Sequence, residues 1–333
     1  MESLCPNSGE NYVVLDFTNF CEELKRRVEE QVEGCEAELR SIVKNNGTEF
    51  RSITIRKAGE TVLPTIYLEA FYREYKRGMP LGKVVEELVE VYEKNRNPWP
   101  EGLDFSFGGI RDKIGFRVVN YEKNRKMLET MPYLKLDEWA VCFECVVSRE
   151  GGNVGAVRVD ERMQKEWNIS TEQLTGLAVK NTFRLIPSKV EPIEDVLAGL
   201  LLSEVSGQCE DGEDSEEKAR ELVDTVLDQK NRKGLPMYVL SNILNHYGAT
   251  SILNIPFMDK VREKLKEDFY ILPSSVHELI LIPVSEAPCE EKLLNMVREV
   301  NMKEVPEEDF LADGVYRYGT LRSKMTALMG LCG

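Results

Sequence analysis

Apolar residues recur along this chain in two rhythms, and the order of the rhythms outlines its architecture. Phe17, Phe20, Cys21, Leu24, Val28 and Val32 fall at helical spacing, with Glu22, Glu23, Lys25, Arg26 and Glu29 on the opposite face. Asp16 stands just before them, where a helix cap belongs. Two extended runs follow, Leu39–Lys44 and Phe50–Arg56, joined by Asn45-Asn46-Gly47. An Asn-Gly pair supplies the positive φ of a tight hairpin turn. A third extended run follows Pro64, and Leu68, Phe71, Tyr72 and Tyr75 then mark a helix that Gly78-Met79-Pro80 stops. The spacing of Val84, Val85, Leu88, Val91 and Tyr92 predicts another helix over 81–95. Asn97-Pro98-Trp99-Pro100-Glu101-Gly102 reads as a linker.

Past that linker, strands are predicted at about 138–148 and 154–159, around a loop at Arg149-Glu150-Gly151-Gly152-Asn153. Helices at 160–167 and 171–182 come next, the second opened by Ser170 with Gln173 as partner in a capping box. A strand at 237–241, a helix at 256–267 and a hairpin of Phe269–Pro273 with Glu278–Val284 follow, then a helix at 290–301 and a strand near 315–318. The run Leu279-Ile280-Leu281-Ile282 is continuously apolar, as expected of a strand covered on both faces. The basic stretch after Gly319 reads as an unstructured tail. These elements give an α+β class: a small N-terminal helix/hairpin/helix unit and a larger mixed body. The boundaries read as an N-terminal unit at 16–96, a central unit at 97–205, an acidic loop with a connecting helix at 206–234, and a C-terminal unit at 235–320. Glu172, Leu174, Leu177, Ile186 and Pro187 recur at an offset of 119 as Glu291, Leu293, Met296, Val305 and Pro306, and Gly155-Ala156 recurs as Gly248-Ala249. Two related halves are one reading of that pattern.

Composition narrows the function. The chain has 333 residues, 42% hydrophobic and 30% charged, enough to bury a real core. Its 43 Lys+Arg against 58 Asp+Glu leave a net charge of −15, which disfavours a protein that coats duplex nucleic acid or an anionic membrane. Seven of the acidic residues lie within 204–217, without a basic one. That segment lacks the ligand spacing of a calcium loop and reads as solvated. The rest of the chain is therefore nearer neutral, and nucleic acid is disfavoured without being excluded. No apolar stretch has a membrane helix's length, and the first residues do not have the form of a signal peptide. Eight dispersed cysteines point to reduced thiols in a cytoplasm. The pair Cys142-Phe143-Glu144-Cys145 sits in a strand-forming run and has no second CxxC, so core packing is the better reading than redox or zinc chemistry.

No phosphate-cradling loop and no nucleophile elbow is present, and no cofactor or metal is expected. With two histidines in the chain, any Ser–His arrangement must use His246 or His277. His277 is the candidate that matters. The turn Ser274-Ser275-Val276-His277-Glu278 lies between two apolar strands, and rigid elements are what hold loop-borne sites. Ser274, His277 and Glu278 are the catalytic candidates there, with Ser275, Tyr247 and Asn245 as binding candidates. The plainer alternative is that the serines satisfy turn backbone and His277 closes the strand. Tyr67, Phe71, Tyr72 and Tyr75 beside Arg73, Lys76 and Arg77 resemble a stacking surface for nucleic acid, yet rings at helical spacing are more often core.

Five motifs recur in a fixed order: Asn45-Asn46-Gly47, Pro64-Thr65-Ile66-Tyr67-Leu68, Asn120-Tyr121-Glu122-Lys123-Asn124, Asn181-Thr182 with Pro187, and Leu272-Pro273-Ser274-Ser275-Val276-His277-Glu278. Together they resemble an uncharacterised domain-of-unknown-function family common in gut clostridia, over about Asp16 to Tyr318. More distantly, Trp167-Asn168 and Thr250-Ser251-Ile252-Leu253-Asn254 resemble a smaller uncharacterised bacillar family. The resemblance implies a bacterial cytoplasmic protein and carries no activity. The expectation is a non-catalytic module that binds another protein or a small ligand, with no membrane partner. The alternatives are a hydrolase-type or nucleotide-processing enzyme centred on 271–278 and, more weakly, an RNA-binding or mobile-element defence protein.

Overall fold

A computed structural model describes residues 14–57, 64–95, 103–150, 153–208 and 235–330. They fall into two compact units, one within Met1–Lys44 and Thr48–Pro100, the other made of Asn45–Gly47 with Glu101–Gly333. Among the described residues, helices and three antiparallel sheets make an α+β fold. The expected linker at 97–102 lies outside the described residues, as does the acidic segment beyond Gln208.

In the first unit, helix α1 (Phe17–Gln31) starts where the sequence predicts, with the Asp16 carboxylate accepting from the Asn19 amide at 2.9 Å. Its buried face is Phe20, Cys21, Leu24 and Val28. Strands β1 (Cys35–Val43) and β2 (Glu49–Lys57) pair antiparallel from Cys35↔Lys57 to Val43↔Glu49, and β3 (Ile66–Tyr67) adds to β2. The turn is wider than the expected tight one: five residues separate the last paired positions, and the Lys44 amide donates to the Thr48 carbonyl at 2.8 Å. Asn46 and Gly47 do take positive φ, 60° and 74°. Helices α2 (Glu69–Lys76) and α3 (Leu81–Lys94) close the unit, with Tyr75, Val84, Val85, Leu88 and Tyr92 in its core. Most of the aromatic stripe belongs to the core: Tyr75 is buried, Phe71 and Tyr72 are partly buried against it, and Tyr72 and Tyr75 pack on Phe20 with ring centroids 5.1 Å apart, while Tyr67 packs on Phe50.

The second unit opens with a short helix α4 (Phe107–Ile110), strand β4 (Ile114–Asn120) and a single turn α5 (Arg125–Leu128). Strands β5 (Tyr133–Leu136), β6 (Trp139–Glu150) and β7 (Asn153–Arg158) complete one sheet, in which β6 pairs with all three others. Helices α6 (Glu161–Trp167) and α7 (Thr171–Leu185) follow, and Ser170 with Gln173 forms the predicted capping box. Strand β8 (Ser188–Pro192) leads into α8 (Ile193–Gln208). Beyond it come β9 (Tyr238–Asn242), α9 (Ile255–Leu265), β10 (Phe269–Pro273), β11 (Leu279–Pro283), α10 (Glu290–Lys303), β12 (Tyr316–Arg317) and α11 (Tyr318–Leu328). The second sheet runs β12-β10-β11-β9-β8, so the continuously apolar β11 sits centrally as its composition demands.

Several elements depart from the sequence reading, among them strand β5 and helices α4, α5 and α8, which it did not predict. The stretch after Gly319 is not a tail but helix α11, which buries Tyr318, Leu321 and Met325 at helical spacing. Strands β4 and β8 were hidden by their composition: β4 carries Gly115 and Arg117, and β8 carries a lysine, a glutamate and a proline. The offset of 93 matches Gly155-Ala156 in strand β7 with Gly248-Ala249 in a 3-10 turn, so that part of the apparent duplication joins unlike structures.

β4 is an edge strand whose outward amides are covered rather than exposed. The Phe116 amide donates to Thr182 Oγ1 at 2.9 Å and the Val118 amide to Thr250 Oγ1 at 3.2 Å. Asn181 Nδ2 donates to the carbonyls of Ile114 and Arg111. This sheet edge fixes where Arg117, on the same strand, stands.

Candidate functional site

His277 lies in the turn between β10 and β11, where its backbone and both ring nitrogens are hydrogen-bonded. The Val276 amide donates to the Asp309 carbonyl at 2.8 Å, and the His277 amide donates to Ser275 Oγ at 3.0 Å. The His277 carbonyl accepts from Ser241 Oγ at 2.8 Å. On the ring, Nδ1 accepts from the Tyr247 amide at 3.1 Å, and Nε2 lies 3.1 Å from Asp309 Oδ1. An amide can only donate, so Nδ1 is the acceptor and the ring proton sits on Nε2, directed to the carboxylate; this tautomer is assigned from the network. Both ring nitrogens are therefore engaged. Ser275 meets the backbone and not the imidazole, and its amide donates to the Glu278 carbonyl at 3.1 Å; among the described residues the side chains of Ser274 and Glu278, both half-buried residues, add no hydrogen bond to this network.

The segment facing the turn is unusual in its backbone. Asn245 and Tyr247 take φ of 50° and 49°, a left-handed conformation that is uncommon for a tyrosine. Asn242 holds it, its Nδ2 donating to the His246 carbonyl at 2.8 Å and its Oδ1 accepting from the Leu244 amide at 3.0 Å. Gly248 is required by space: a Cβ there would stand 2.4 Å from the His277 carbonyl and 2.8 Å from the Asn242 amide. The Tyr247 ring centroid lies 5.3 Å from that of His277 and 4.6 Å from that of His246. Asn245 is exposed and outside this packing.

Below Tyr247 lies a group that sequence reasoning did not single out. The Arg117 guanidinium sits over the Tyr247 ring, 3.7 Å from its centroid. Arg117 also forms an ion pair with Glu144, Nε to Oε2 at 2.7 Å, both side chains being largely buried. The approach is off the N–H direction, so it is an ionic contact and leaves both atoms without a hydrogen bond. Glu144 pairs across the strands with Arg158, which sets the carboxylate between two arginines. Burial pushes the Glu144 carboxyl above the usual carboxylate range, while the Arg117 and Arg158 charges pull the other way. A strand alternation pattern contained the signal: Arg117, Cys142, Glu144 and Arg158 share one sheet face by register. Cys142 and Cys145 are buried, unpaired thiols that burial pushes up to about 12, so neither supplies a thiolate.

Three motif asparagines, Asn45, Asn46 and Asn120, converge elsewhere, on the loop before β12. Asn46 Nδ2 donates to the carbonyls of Glu307 and Phe310, Asn45 Nδ2 to that of Glu308, and Asn120 Nδ2 to that of Leu311. Asn124 ties them together, accepting from the Asn46 amide at 2.9 Å and donating to Asn46 Oδ1 and the Asn120 carbonyl, each at 2.8 Å. The same loop carries Asp309, the partner of His277, so the 45–47 and 120–124 motifs and the turn form one hydrogen-bonded assembly.

The model of the family of unknown function DUF5688 matches residues 17–320. The chain belongs to that family. No curated protein and no solved structure matches it. The span of the DUF5688 match takes in the asparagine clasp, the 271–278 turn and the Arg117–Glu144 pair alike. Among the described residues, no helix of this family member is long and apolar enough to cross a membrane, and no cluster of three His, Cys, Asp or Glu side chains is arranged to hold a metal ion.

Proposed function

We propose that this DUF5688 protein is a non-catalytic binding module of the bacterial cytoplasm, taking another protein or a small ligand. The observation that carries the reading is the saturation of His277. A general base needs a free ring nitrogen within reach of the hydroxyl it activates. Here one nitrogen accepts from the Tyr247 amide and the other faces Asp309, and the nearest serine hydroxyl serves the backbone. Unpaired buried thiols at Cys21, Cys142 and Cys145 fit a reducing compartment. Two exposed cations of the 120–126 segment are partnered by carboxylates, Lys123 by Glu307 and Arg125 by Glu122, which speaks against an RNA groove there.

The hydrolase-type reading keeps one observation in its favour, the left-handed Tyr247 beside His277, since backbone strain gathers at functional sites. Turnover decides between the two. Purified protein incubated with chromogenic esters, phosphomonoesters and phosphodiesters, and with nucleoside triphosphates, is expected to release no product. His277→Asn is then expected only to lower the melting temperature, by removing two hydrogen bonds worth about 1–3 kcal/mol together. Turnover that His277→Asn or Ser274→Ala abolishes would overturn the binding-module reading.

A further inference from the structure

Three buried side-chain atoms of the second unit have no hydrogen-bond partner, Asn45 Oδ1, Arg117 Nε and Glu144 Oε2, the last two in ionic contact with each other at 2.7 Å, and their residues line one cavity. Asn45 and Glu144 are 3% and 5% exposed, so bulk solvent does not serve them. Leaving the hydrogen bonding of such groups unmet is costly even within an ion pair, and three around one cavity call for a common partner. The cavity is small, with about 10 Å³ of free space, the room of a single water-sized occupant. Tyr247 closes one side, and Val119 and Cys142 line the apolar wall.

The identity of the occupant follows from counting donors and acceptors. Two of the three atoms, Asn45 Oδ1 and Glu144 Oε2, accept; the third, Arg117 Nε–H, donates. An ammonium ion only donates and would meet Arg117 with like charge. A halide only accepts and would face two oxygens. A water has two O–H donors and a lone pair for the guanidinium, which matches all three. We propose that this cavity is a binding site for one ordered water, which donates to Asn45 Oδ1 and Glu144 Oε2 and accepts from Arg117 Nε. The water sits beside the ion pair, completes the hydrogen bonding that a buried charge pair needs, and ties the sheet face of β4 and β6 to the Asn45 turn.

Two measurements on the full chain test this. In a crystal structure resolved well enough to place solvent, one peak is expected within hydrogen-bond distance of all three atoms. A cavity without a peak, or a peak touching only apolar atoms, would overturn the proposal. Val119→Ile adds a methylene to the apolar wall. If the cavity is a dry void, filling it raises the melting temperature. If it holds the water, displacement strips three polar groups, and the melting temperature falls by about 2–8 °C with the solvent peak lost. A rise would sink the inference even if the wild-type crystals diffract poorly.

Discussion

The two units solve the problem of a specific interior in different ways. In the first, the only buried polar side chains among the described residues are Ser52 and Thr54, and each hydroxyl donates to a carbonyl of the neighbouring strand, at Arg40 and Glu38. Around them lies an apolar cluster running from Phe20 and Leu24 to Leu88 and Tyr92, with single buried oxygens of Thr48 and Glu69 besides. The second unit buries Asn45, Asn46, Asn120, Asn124, Asn181, Thr182, Asn242, Thr250 and Ser251. Their amides and hydroxyls take the place of a regular ladder, bonding carbonyls of the 307–311 loop and amides of the β4 edge. Several of these residues stand in the motifs on which the sequence resembles an uncharacterised family. Motifs of this kind mark buried hydrogen-bond clasps as readily as they mark chemistry.

That contrast is easiest to break at its extremes. Leu88→Ala removes a fully buried side chain from α3, and a core held by packing is expected to lose about 2–5 kcal/mol in chemical denaturation. A loss below about 1 kcal/mol would mean that this core collapses around the gap and is less close-packed than its burial implies. In the second unit, Asn124→Leu keeps volume but removes one acceptor and two donated bonds, leaving the Asn46 amide and Asn46 Oδ1 bare. The expected loss is about 2–4 kcal/mol. An effect near zero would show that the clasp is decorative and the unit rests on its apolar clusters.

The same contrast explains what could be read from the sequence. A helix such as α1 or α7 announces itself through local spacing, and Asp16 and Ser170 announce their starts, because cap and partner lie three residues apart. The clasp has no local signature. Asn46 meets Asn124 across 78 residues and Phe310 across 264, and an asparagine that bonds a distant carbonyl looks the same in sequence as one in a solvent-facing turn. The 271–278 hairpin was legible as structure, with its apolar strands and polar turn. The ring bonding of His277 was not, since both partners, Tyr247 and Asp309, come from other segments. Helix α11 was missed because Gly319, Thr320 and Ser323 are weak helix formers; packing of Tyr318, Leu321 and Met325 overrides them.

A smaller effect sharpens the account of the β4 edge. Thr182→Val is nearly isosteric and deletes the acceptor for the Phe116 amide. The bare amide should cost about 1–3 kcal/mol, with faster hydrogen exchange at Phe116. Thr182→Ser, which restores the hydroxyl, is expected to recover most of it. Exchange at Phe116 unchanged in the valine variant would remove Thr182 from the clasp.

The smallest effect expected comes from a pair near the surface, and it separates ionic ties from amide ones. Asp259 on α9 accepts from Arg322 on α11 in two hydrogen bonds, at 2.7 and 2.8 Å, and from the Tyr318 hydroxyl at 2.8 Å. The Arg322 guanidinium holds its carboxyl below the ordinary value of 3.8. A carboxyl depressed in the folded state contributes stability above its unfolded value and loses it as the pH falls through the folded one. Asp259→Asn should therefore lower the melting temperature slightly at pH 6–7, by the equivalent of less than about 1 kcal/mol for so solvated a pair. The gap to wild type should close as the pH drops below about 4. The amide clasp has no titrating group between Asn46, Asn120 and Asn124, so the Asn124→Leu deficit should stay constant over the same range. A deficit for Asp259→Asn that is equally flat would mean that α11 is held by the burial of Tyr318, Leu321 and Met325 alone, and that the ion pair adds nothing to it.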